Sequence, residues 1–445
     1  MKLEGILLSE YGALSSVPSP VNRMMAAFAE DFRDGCDINL GVGYVNERTI
    51  PDEGFRESLD HVLAHPHKHR LALNYGGPKG SQNLIDAIKA FYLKYGIGGL
   101  TEDVLAEKDV IIGPSGATSI LDGLADVVKP GIVLTSDPMY YIYCNALGRK
   151  GFELVTAPED AEGIDTAALS GKLEALGARR RDVAFVYIVT VNNPTSTILC
   201  NRRRKELVEI VTRLSHAIGR KVPLIFDQAY EFLIHDPAVE APVSGFLYDD
   251  LGIVYEIGTL SKILAPALRI GYLIGPGGPV VNALVQRTSD IGFSAPLLNQ
   301  EIASYLIDRH VAEQRARVNR GYRDKAARTR QWIEERLGDA LAGYTGGQAG
   351  FYFYLTFKDI ETTEHSRFFH FLARTTGDPD VDGPPEAKHP RVVYIPGEHC
   401  VHPRGDLAAL GTRQLRLSYG FEETGRIGEA LALMQQAAAY ARTSA

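Results

Sequence analysis

The sequence predicts an α/β fold in which helices cover both faces of a mostly parallel sheet. Between residues 80 and 290, short apolar runs alternate with helical stretches, as they do along a parallel sheet. These runs are nearly continuous in β-branched and aromatic residues, which is typical of strands buried on both faces. Around 296–340 the pattern becomes helical and charged, and the remainder has an α+β pattern. We therefore expect a large α/β domain, a long bridging helix and a smaller α+β domain.

Each element is predicted from a local pattern. Ser81 is expected to begin a helix, because Leu84, Ile88 and Phe91 repeat with a period of about 3.6 residues. Strands are predicted at 110–112, 132–134, 183–189, 224–226, 253–257 and 270–274. The other predicted elements are a helix at 202–218, a strand at 351–357, a Gly-, Pro- and Asp-rich surface loop at 375–390 and a closing helix at 425–441.

The composition excludes several classes of function. The 445 residues are 45% hydrophobic and 23% charged, which is ordinary for a soluble globular protein. With a net charge of −8, the chain has no basic field for nucleic acid or an anionic membrane. No apolar stretch approaches the roughly 18 residues of a membrane span, and we expect no signal peptide. The four cysteines lack metal-type spacing, so we expect free thiols in a reducing cytoplasm and no metal site.

The stretch TLSKILAPALR at 259–269 combines a lysine, flanking hydroxyls and an arginine. A lysine that forms an imine needs a sheltered site that lowers the pKa of its amine. A phosphate dianion needs hydroxyl donors and a bidentate guanidinium. The residues that supply these groups are Thr259, Ser261, Lys262 and Arg269. The same letters also fit a capped helix start with a solvated lysine.

Two other predicted strand ends carry polar side chains. Asp227 follows the strand at 224–226, on the usual ligand side of a parallel sheet, where a carboxylate could pair with a protonated pyridine nitrogen. It could instead cap a helix, and Tyr230 could be a core aromatic. Asn193 lies in VTVNNPTS at 189–196, where its amide could donate to a phenolate oxygen. An ordinary Asn-Pro turn fits the same letters.

Taken in order, the motifs resemble those of the class I/II aminotransferases, fold type I of the enzymes that depend on pyridoxal 5′-phosphate (PLP). The resemblance covers nearly the whole chain and rests on NYGGPKG at 74–80, GAT at 116–118, DPMY at 137–140, NNPT at 192–195, DQAY at 227–230, TLSK at 259–262, Arg269 and LRLSY at 415–419. It implies PLP as the cofactor. It also implies a large PLP-binding domain at 56–310 with a mostly parallel, seven-stranded sheet, and a small α+β domain formed from 1–55 and 311–445.

The resemblance implies a role for each cofactor-binding residue. Lys262 matches the lysine that holds PLP as a Schiff base and moves the proton between the substrate Cα and the cofactor C4′. Asp227 matches the partner of the pyridinium nitrogen, and Asn193 and Tyr230 match the pair on the ring hydroxyl. Tyr140 stands where the family stacks an aromatic ring on the cofactor. The phosphate is expected to bind Gly116, Ala117, Thr118, Thr259, Ser261 and Arg269.

The remaining implied roles concern the substrate and the partner subunit. Arg416 matches the arginine that binds the substrate α-carboxylate, and Gly43 and Asn193 are expected to contact the substrate as well. Tyr75 matches the tyrosine that reaches the phosphate of the neighbouring subunit, which implies a homodimer with shared active sites. Ser196 departs from the family, which usually has NPTG, and this puts the backbone angles of the turn in question. We identify no second arginine for an aspartate-like side chain.

These features favour a PLP-dependent aminotransferase that converts an α-amino acid to its 2-oxo acid through a Schiff base on Lys262 and a quinonoid intermediate. The same fold also serves elimination, replacement, cyclisation of S-adenosylmethionine or carbon–carbon bond formation. A ligand-binding or regulatory relic is a third reading, less expected because Lys262 is present and the first forty residues show no helix-turn-helix. A nicotinamide enzyme is not expected, since the Gly-Val-Gly at 41–43 lacks the third glycine of that fingerprint.

Overall fold

The computed structural model describes residues 6–384 and 386–443. The helices are α1 (Glu10–Ser15), α2 (Pro20–Glu30), α3 (Asp52–Ala64), α4 (Gln82–Lys94), α5 (Glu102–Ala106), α6 (Gly116–Val127), α7 (Tyr141–Arg149), α8 (Thr166–Ala175), α9 (Asn201–Ile218), α10 (Pro279–Gly292), α11 (Leu297–Arg309), α12 (Val311–Leu337), α13 (Arg367–Ala373), α14 (Pro379–Asp382), α15 (Ala408–Gly411) and α16 (Thr424–Arg442). The strands are β1 (Ile38–Asn39), β2 (Lys108–Ile112), β3 (Ile132–Asp137), β4 (Glu153–Asp160), β5 (Gly163–Ile164), β6 (Val183–Val189), β7 (Leu224–Asp227), β8 (Val254–Thr259), β9 (Gly271–Pro276), β10 (Leu341–Gly346), β11 (Tyr352–Phe357), β12 (Val392–Val393), β13 (Ile395–Pro396) and β14 (Gln414–Ser418).

The larger sheet has eight strands in the order β2-β9-β8-β7-β6-β3-β4-β5. The strands from β8 to β4 pair in parallel, whereas β9 runs antiparallel to both neighbours and β5 runs antiparallel to β4. The sheet is mostly parallel, as predicted, but the predicted count of seven is wrong because the two residues of β5 add an edge strand. The sequence pattern also misses β4, since its residues are only partly buried near the sheet edge and include several polar ones.

Helices cover both faces of this sheet. Successive residues of β7 point to opposite faces, so Leu224 and Phe226 join one apolar cluster and Ile225 joins another. The first cluster includes buried residues of α4, α9 and α11, and the second includes residues of α6 and α10. Burial on both faces explains the continuous apolar runs in the sequence. Within residues 6–384 and 386–443, no helix is both long and apolar enough to cross a membrane.

A second sheet lies in the C-terminal part of the chain. Its four antiparallel strands follow the order β10-β11-β14-β13, and α16 packs against α12 and α13 beside it. The helical pattern at 296–340 corresponds to two helices, α11 and α12, which are separated at His310. The short β1 pairs in parallel with β12, so the N-terminal segment adds backbone pairing to the C-terminal part. The domain boundaries at 55 and 310 stay predictions.

A buried carboxylate ties the N-terminal segment to the C-terminal part. The Asp37 side chain has no exposed surface and accepts hydrogen bonds from Arg33 Nη2 at 2.6 Å and from Arg391 Nη2 at 2.8 Å. Burial acts to raise the pKa of the Asp37 carboxyl, but hydrogen bonds from Arg33 and Arg391 hold it well below its usual range. Arg391 also pairs at 2.6 Å with Asp31, which is largely exposed. One arginine therefore has one buried and one exposed anionic partner.

We expect Asp37→Asn to lower the free energy of unfolding by about 2–3 kcal/mol, because the guanidinium groups of Arg33 and Arg391 lose the buried negative charge with which they pair. The effect should be visible as a lower urea midpoint. A carboxyl whose pKa is lower in the folded than in the unfolded protein stabilises the fold at any pH above its unfolded pKa. The difference in free energy of unfolding between wild type and Asp37→Asn should therefore shrink as the pH falls below about 4. In Asp31→Asn, the matched control at the exposed partner, the loss should stay below about 1 kcal/mol. Equal losses in the two variants would contradict this account.

Candidate active site

The carboxyl ends of three neighbouring parallel strands meet at one edge of the large sheet. β7 ends at Asp227, β8 ends at Thr259 three residues before Lys262, and β6 runs on into the turn that contains Asn193. The strands stay in register up to these ends, so their polar side chains face a common cleft. The cleft is lined by Ala117, Thr118, Leu121, Tyr140, Val189, Asn193, Asp227, Ala229, Tyr230, Thr259, Ser261, Lys262, Pro266 and Arg269.

Lys262 lies part-buried in this cleft beside a backbone carbonyl and two aromatic rings. Its Nζ donates a hydrogen bond to the carbonyl oxygen of Gly43 at 3.0 Å and lies 5.6 Å from the ring centroids of Tyr230 and Phe351. Burial, with smaller contributions from the nearby charges of Arg416 and Arg269, lowers the pKa of the amine to about 8. About a tenth of this amine is therefore uncharged at pH 7, far more than for an ordinary lysine, and the uncharged form is the one that a nucleophile or a proton acceptor requires.

Asp227 is a buried carboxylate at the end of β7. Its Oδ2 accepts a hydrogen bond from the Tyr187 hydroxyl at 2.8 Å, and its Oδ1 accepts one from the Ala229 N–H at 3.0 Å. Burial raises the pKa of Asp227 to about 6, although the hydrogen bond from Tyr187 acts in the opposite direction. A cationic N–H donor beside it would favour the charged form further and lower this pKa. The sequence analysis missed Tyr187, which lies inside the predicted strand at 183–189 as a hydroxyl in an otherwise apolar run.

A cup suited to an anion, called the cup below, lies at the N-terminus of α6. Ser115 is the N-cap but makes no capping hydrogen bond through its side chain, so the N–H groups of Ala117 and Thr118 have no partner within the first turn. Arg269 reaches the same point, since its Nη2 donates to the Ser115 carbonyl at 3.0 Å. A Cβ added to Gly116, where φ is +69°, would lie 2.8 Å from that Nη2. Glycine is therefore needed there by both backbone angle and space.

The strand β9 packs against the first turn of α6, which forms the cup. A Cβ added to Gly271 would lie only 2.0 Å from the backbone nitrogen of Ala117, so the two backbones are in direct contact. Thr259 Oγ1 donates to the Ile270 carbonyl at 2.7 Å and lies 3.0 Å from Ser261 Oγ. The hydroxyls that the sequence predicts for phosphate binding are thus held beside the cup by β8 and β9.

Arg416 is a buried guanidinium on β14. It is 2% exposed, and its Nη1 donates to Asn193 Oδ1 at 2.8 Å while its Nη2 donates to the Gly41 carbonyl. Its Nε is buried without a hydrogen-bond partner among the described residues. The ring of Tyr352 lies against one face, with its centroid 4.5 Å from the guanidinium carbon. A buried cation bonded to neutral oxygens is suited to bind an incoming carboxylate.

Most predicted site residues come together here. Ten of them line the cleft, and Gly116 lies against Arg269. Gly43 is joined to the cleft by its hydrogen bond from Lys262, and Arg416 by its hydrogen bond to Asn193. Tyr75 does not join them. Tyr75 is 70% exposed, and the centroid of its ring lies 5.2 Å from that of the Phe293 ring.

The donor set of the cleft fits PLP. The aldehyde, the ring nitrogen and the phosphate of this cofactor need an amine, a carboxylate and an anion cup, and the cleft offers Lys262, Asp227 and the N-terminus of α6 with Arg269. A comparison with known families agrees with this chemistry. The sequence model of the family described as aminotransferase class I and II matches residues 38–373.

The chain belongs to the class I and II aminotransferase family. The predicted family, its cofactor PLP and the α/β fold class are confirmed by this match and by the similar structures, whereas the activity of this chain and the roles of individual residues stay predictions. Similar solved structures include a kynurenine aminotransferase from Pyrococcus horikoshii, with a TM-score of 0.81, 22% identity and 97% of each chain covered. An aspartate aminotransferase from Thermus thermophilus has a TM-score of 0.74 and 18% identity, with 98% of this chain and 100% of the other covered.

Curated relatives of this family member fall into two groups. An uncharacterised HTH-type transcriptional regulator, YisV of Bacillus subtilis, is 26% identical over 342 residues, which are 76% of this chain and 65% of the regulator. Aromatic-amino-acid aminotransferase 1 of Thermococcus litoralis is 30% identical over 240 residues, which are 53% of this chain and 54% of that enzyme. The chain thus spans less than two thirds of the length of each.

The departure of this aminotransferase-family chain at Ser196 has a structural counterpart. Ser196 adopts φ +53°, in the left-handed region that favours glycine, and is buried. Its Oγ accepts a hydrogen bond from the backbone N–H of Tyr352 at 3.3 Å, and the hydroxyl of Thr345 donates to the Thr195 carbonyl at 3.0 Å. The serine therefore keeps the angle expected of a turn glycine and adds a bond between this turn and β11.

We expect Ser196→Ala to lower the free energy of unfolding by about 1–2 kcal/mol, because it loses the hydrogen bond from Tyr352 and keeps the unfavourable angle. Ser196→Gly loses the same hydrogen bond, but glycine adopts this backbone angle at a cost lower by about 1 kcal/mol. Its free energy of unfolding should therefore lie closer to that of wild type. Urea unfolding of the three proteins at one pH gives the order. An alanine variant as stable as the glycine variant would show that the backbone angle is not strained.

Proposed function

We propose that the protein transfers an amino group from an α-amino acid to a 2-oxo acid, with PLP attached to Lys262. The observation that carries this proposal is a single cleft that combines an amine with a pKa lowered to about 8, a buried carboxylate and a helix N-terminus beside Arg269. When bound, PLP supplies an aldehyde that condenses with amines and a ring that accepts electrons from the bonds at Cα. The roles of the surrounding residues follow from their positions.

The first role is that of the base. Lys262 would act as the proton carrier once the incoming amino acid has displaced its amine, because its uncharged Nζ could take the proton from the substrate Cα and release it to the cofactor C4′, two bonds away across the linking nitrogen. Asp227 keeps its charge beside a protonated ring nitrogen, since a cationic partner offsets the burial that raises its pKa in isolation. Tyr230 and Asn193 line the same cleft as Asp227 and Lys262, which supports the proposal that their polar groups bind the ring oxygen.

The second role is orientation of the substrate. Arg416 is bonded to neutral oxygens, and its Nε has no partner among residues 6–384 and 386–443, so a substrate carboxylate would satisfy both its charge and its unused donor. Fixing that carboxylate fixes the rotation about the Cα bonds, which decides which bond stands perpendicular to the cofactor ring. The aromatic face of Tyr140 limits how far the ring can tilt and excludes water.

Without an acceptor, the purified holoenzyme should convert its bound cofactor to the pyridoxamine form when a reactive α-amino acid is added. A panel of amino acids can be screened by absorbance for this conversion, and mass spectrometry after borohydride reduction should find the pyridoxyl group on the peptide that contains Lys262. In Lys262→Ala the peptide should carry no such group. Product formation while the cofactor stays attached to Lys262 would favour elimination or replacement and contradict transamination.

A regulatory function is the second candidate, and the naming of several relatives as HTH-type regulators favours it. A regulatory module of this family would bind PLP and an amino acid and change shape with little or no turnover. The screen for cofactor conversion separates the two candidates. A spectral change on adding an amino acid that reverses on dialysis, with no 2-oxo acid released, would favour the regulator.

We also propose a homodimer whose active sites are shared. Tyr75 does not line the cleft of its own chain, and more than half of its surface is exposed. Four apolar residues near it in sequence or in space are also more than half exposed. These are Leu71, Leu73, Ile291 and Phe293. An apolar cluster of this kind on the surface is typical of a contact with another chain. Tyr75 would then reach the phosphate bound by the partner.

Mixed dimers test this arrangement. Tyr75→Ala should weaken PLP binding about tenfold or more, because it removes a hydrogen bond to a charged phosphate. In a dimer of one Tyr75→Ala chain and one Lys262→Ala chain, the Lys262-containing site would receive Tyr75 from its partner. Absorbance of the Lys262-linked cofactor should therefore titrate with wild-type affinity in this mixed dimer. If the weakened affinity persists, Tyr75 does not act across the interface.

A further inference from the structure

Tyr352, the first residue of β11, is absent from every site motif of the sequence. It is 1% exposed and lies on the strand next to the one that carries Arg416, pairing in register with Ser418. Its ring meets that of Tyr230 in an edge-to-face arrangement at 5.7 Å and 67°. The two hydroxyl oxygens are 2.8 Å apart. The two hydroxyls are therefore hydrogen-bonded, and this bond joins β11 to a residue of the candidate cofactor site.

Two other groups of the site also depend on Tyr352. The guanidinium carbon of Arg416 lies 4.5 Å above the centroid of its ring, so the ring supports one face of the cation. A Cβ added to Gly43 would lie 2.6 Å from the Tyr352 hydroxyl, which leaves no room for a side chain there. The carbonyl of the same glycine accepts the hydrogen bond from Lys262 Nζ. One side chain therefore contacts residues that lie around both the amine and the carboxylate clamp.

The hydrogen bond between the two tyrosines has a defined direction once Tyr230 serves the cofactor. A phenol has one proton to donate, and Tyr230 would use it on the anionic ring oxygen. Tyr352 must then be the donor to Tyr230. Burial raises the pKa of both phenols, so both keep their protons near neutral pH. A phenol that accepts a hydrogen bond becomes a stronger donor itself.

We propose that Tyr352 is a positioning residue that donates to Tyr230, strengthens the hydrogen bond of Tyr230 to the cofactor ring oxygen and supports the plane of Arg416 for the substrate carboxylate. The proposal rests on the PLP chemistry proposed above. A stronger bond to the ring oxygen stabilises its anion most when the Lys262 nitrogen in the cofactor linkage has lost its proton. Tyr352 thereby lowers the pH at which that nitrogen deprotonates.

The test compares Tyr352→Phe and Tyr352→Leu with wild type as holoenzymes. In Tyr352→Phe the ring stays and the hydroxyl is lost, so the pH midpoint of the absorbance change of the Lys262-linked cofactor should rise by about 0.3 pH units or more. Its KM for the amino acid should remain within about twofold of wild type. Tyr352→Leu also removes the aromatic face, so KM should rise about tenfold.

Tyr354→Phe is the matched control. Tyr354 is an equally buried residue two positions along β11, but its hydroxyl donates to Gln414 Oε1 at 3.2 Å instead of to Tyr230. Its midpoint should equal that of wild type. An unshifted midpoint in Tyr352→Phe, or the same KM in the Phe and Leu variants, would overturn the inference. If wild type itself forms no borohydride-fixed adduct at Lys262, the proposed function fails first, and that outcome is distinct from a normal adduct with an unshifted midpoint.

Discussion

The parallel, in-register pairing of β6, β7 and β8 is the constraint on which the candidate site depends. Asp227 pairs with Val189 on one side and Ile257 on the other, so β6 and β7 end at the same level and β8 runs two residues further, to Thr259. The polar residues that follow them are then delivered to one cleft. A slip of one residue would turn Asp227 towards the opposite face and break the arrangement. Continuous apolar burial on both faces prevents such a slip, because every neighbouring side chain would also change face.

The second sheet completes the site from the opposite side. Arg416 on β14 reaches Asn193 of the large sheet, and Ser196 accepts a bond from the backbone of Tyr352 on β11. These bonds join the turn after β6 to β14 and β11 of the second sheet. The ionisable groups at the centre are bonded mainly to neutral partners, which is costly for a structural core. Such an arrangement is typical of a site whose charges are reserved for ligands.

The sequence predicts much of this site because its key residues follow recognisable apolar runs. The strand at 183–189 is observed with the predicted bounds, and Asp227 stands at a strand end as expected. Contacts between distant segments have no such signal. Tyr230 and Tyr352 are 122 residues apart in sequence, so only the folded chain reveals that their hydroxyls meet. The edge strand β5 was missed because two residues are too short to form a pattern.

The contact between Gly271 and Ala117 has a consequence for ligand entry. Since the backbone of β9 touches the first turn of α6, the cup cannot widen or shift without moving a strand that is paired on both sides, with β2 and β8. The donors of the cup are therefore preorganised before any anion arrives, and little ordering entropy is lost on binding. In the proposed function, recognition of the phosphate would thereby be separate from the chemistry at Lys262. A phosphate ester with no aldehyde should dock in the same orientation as the complete coenzyme and compete with it for the apoprotein.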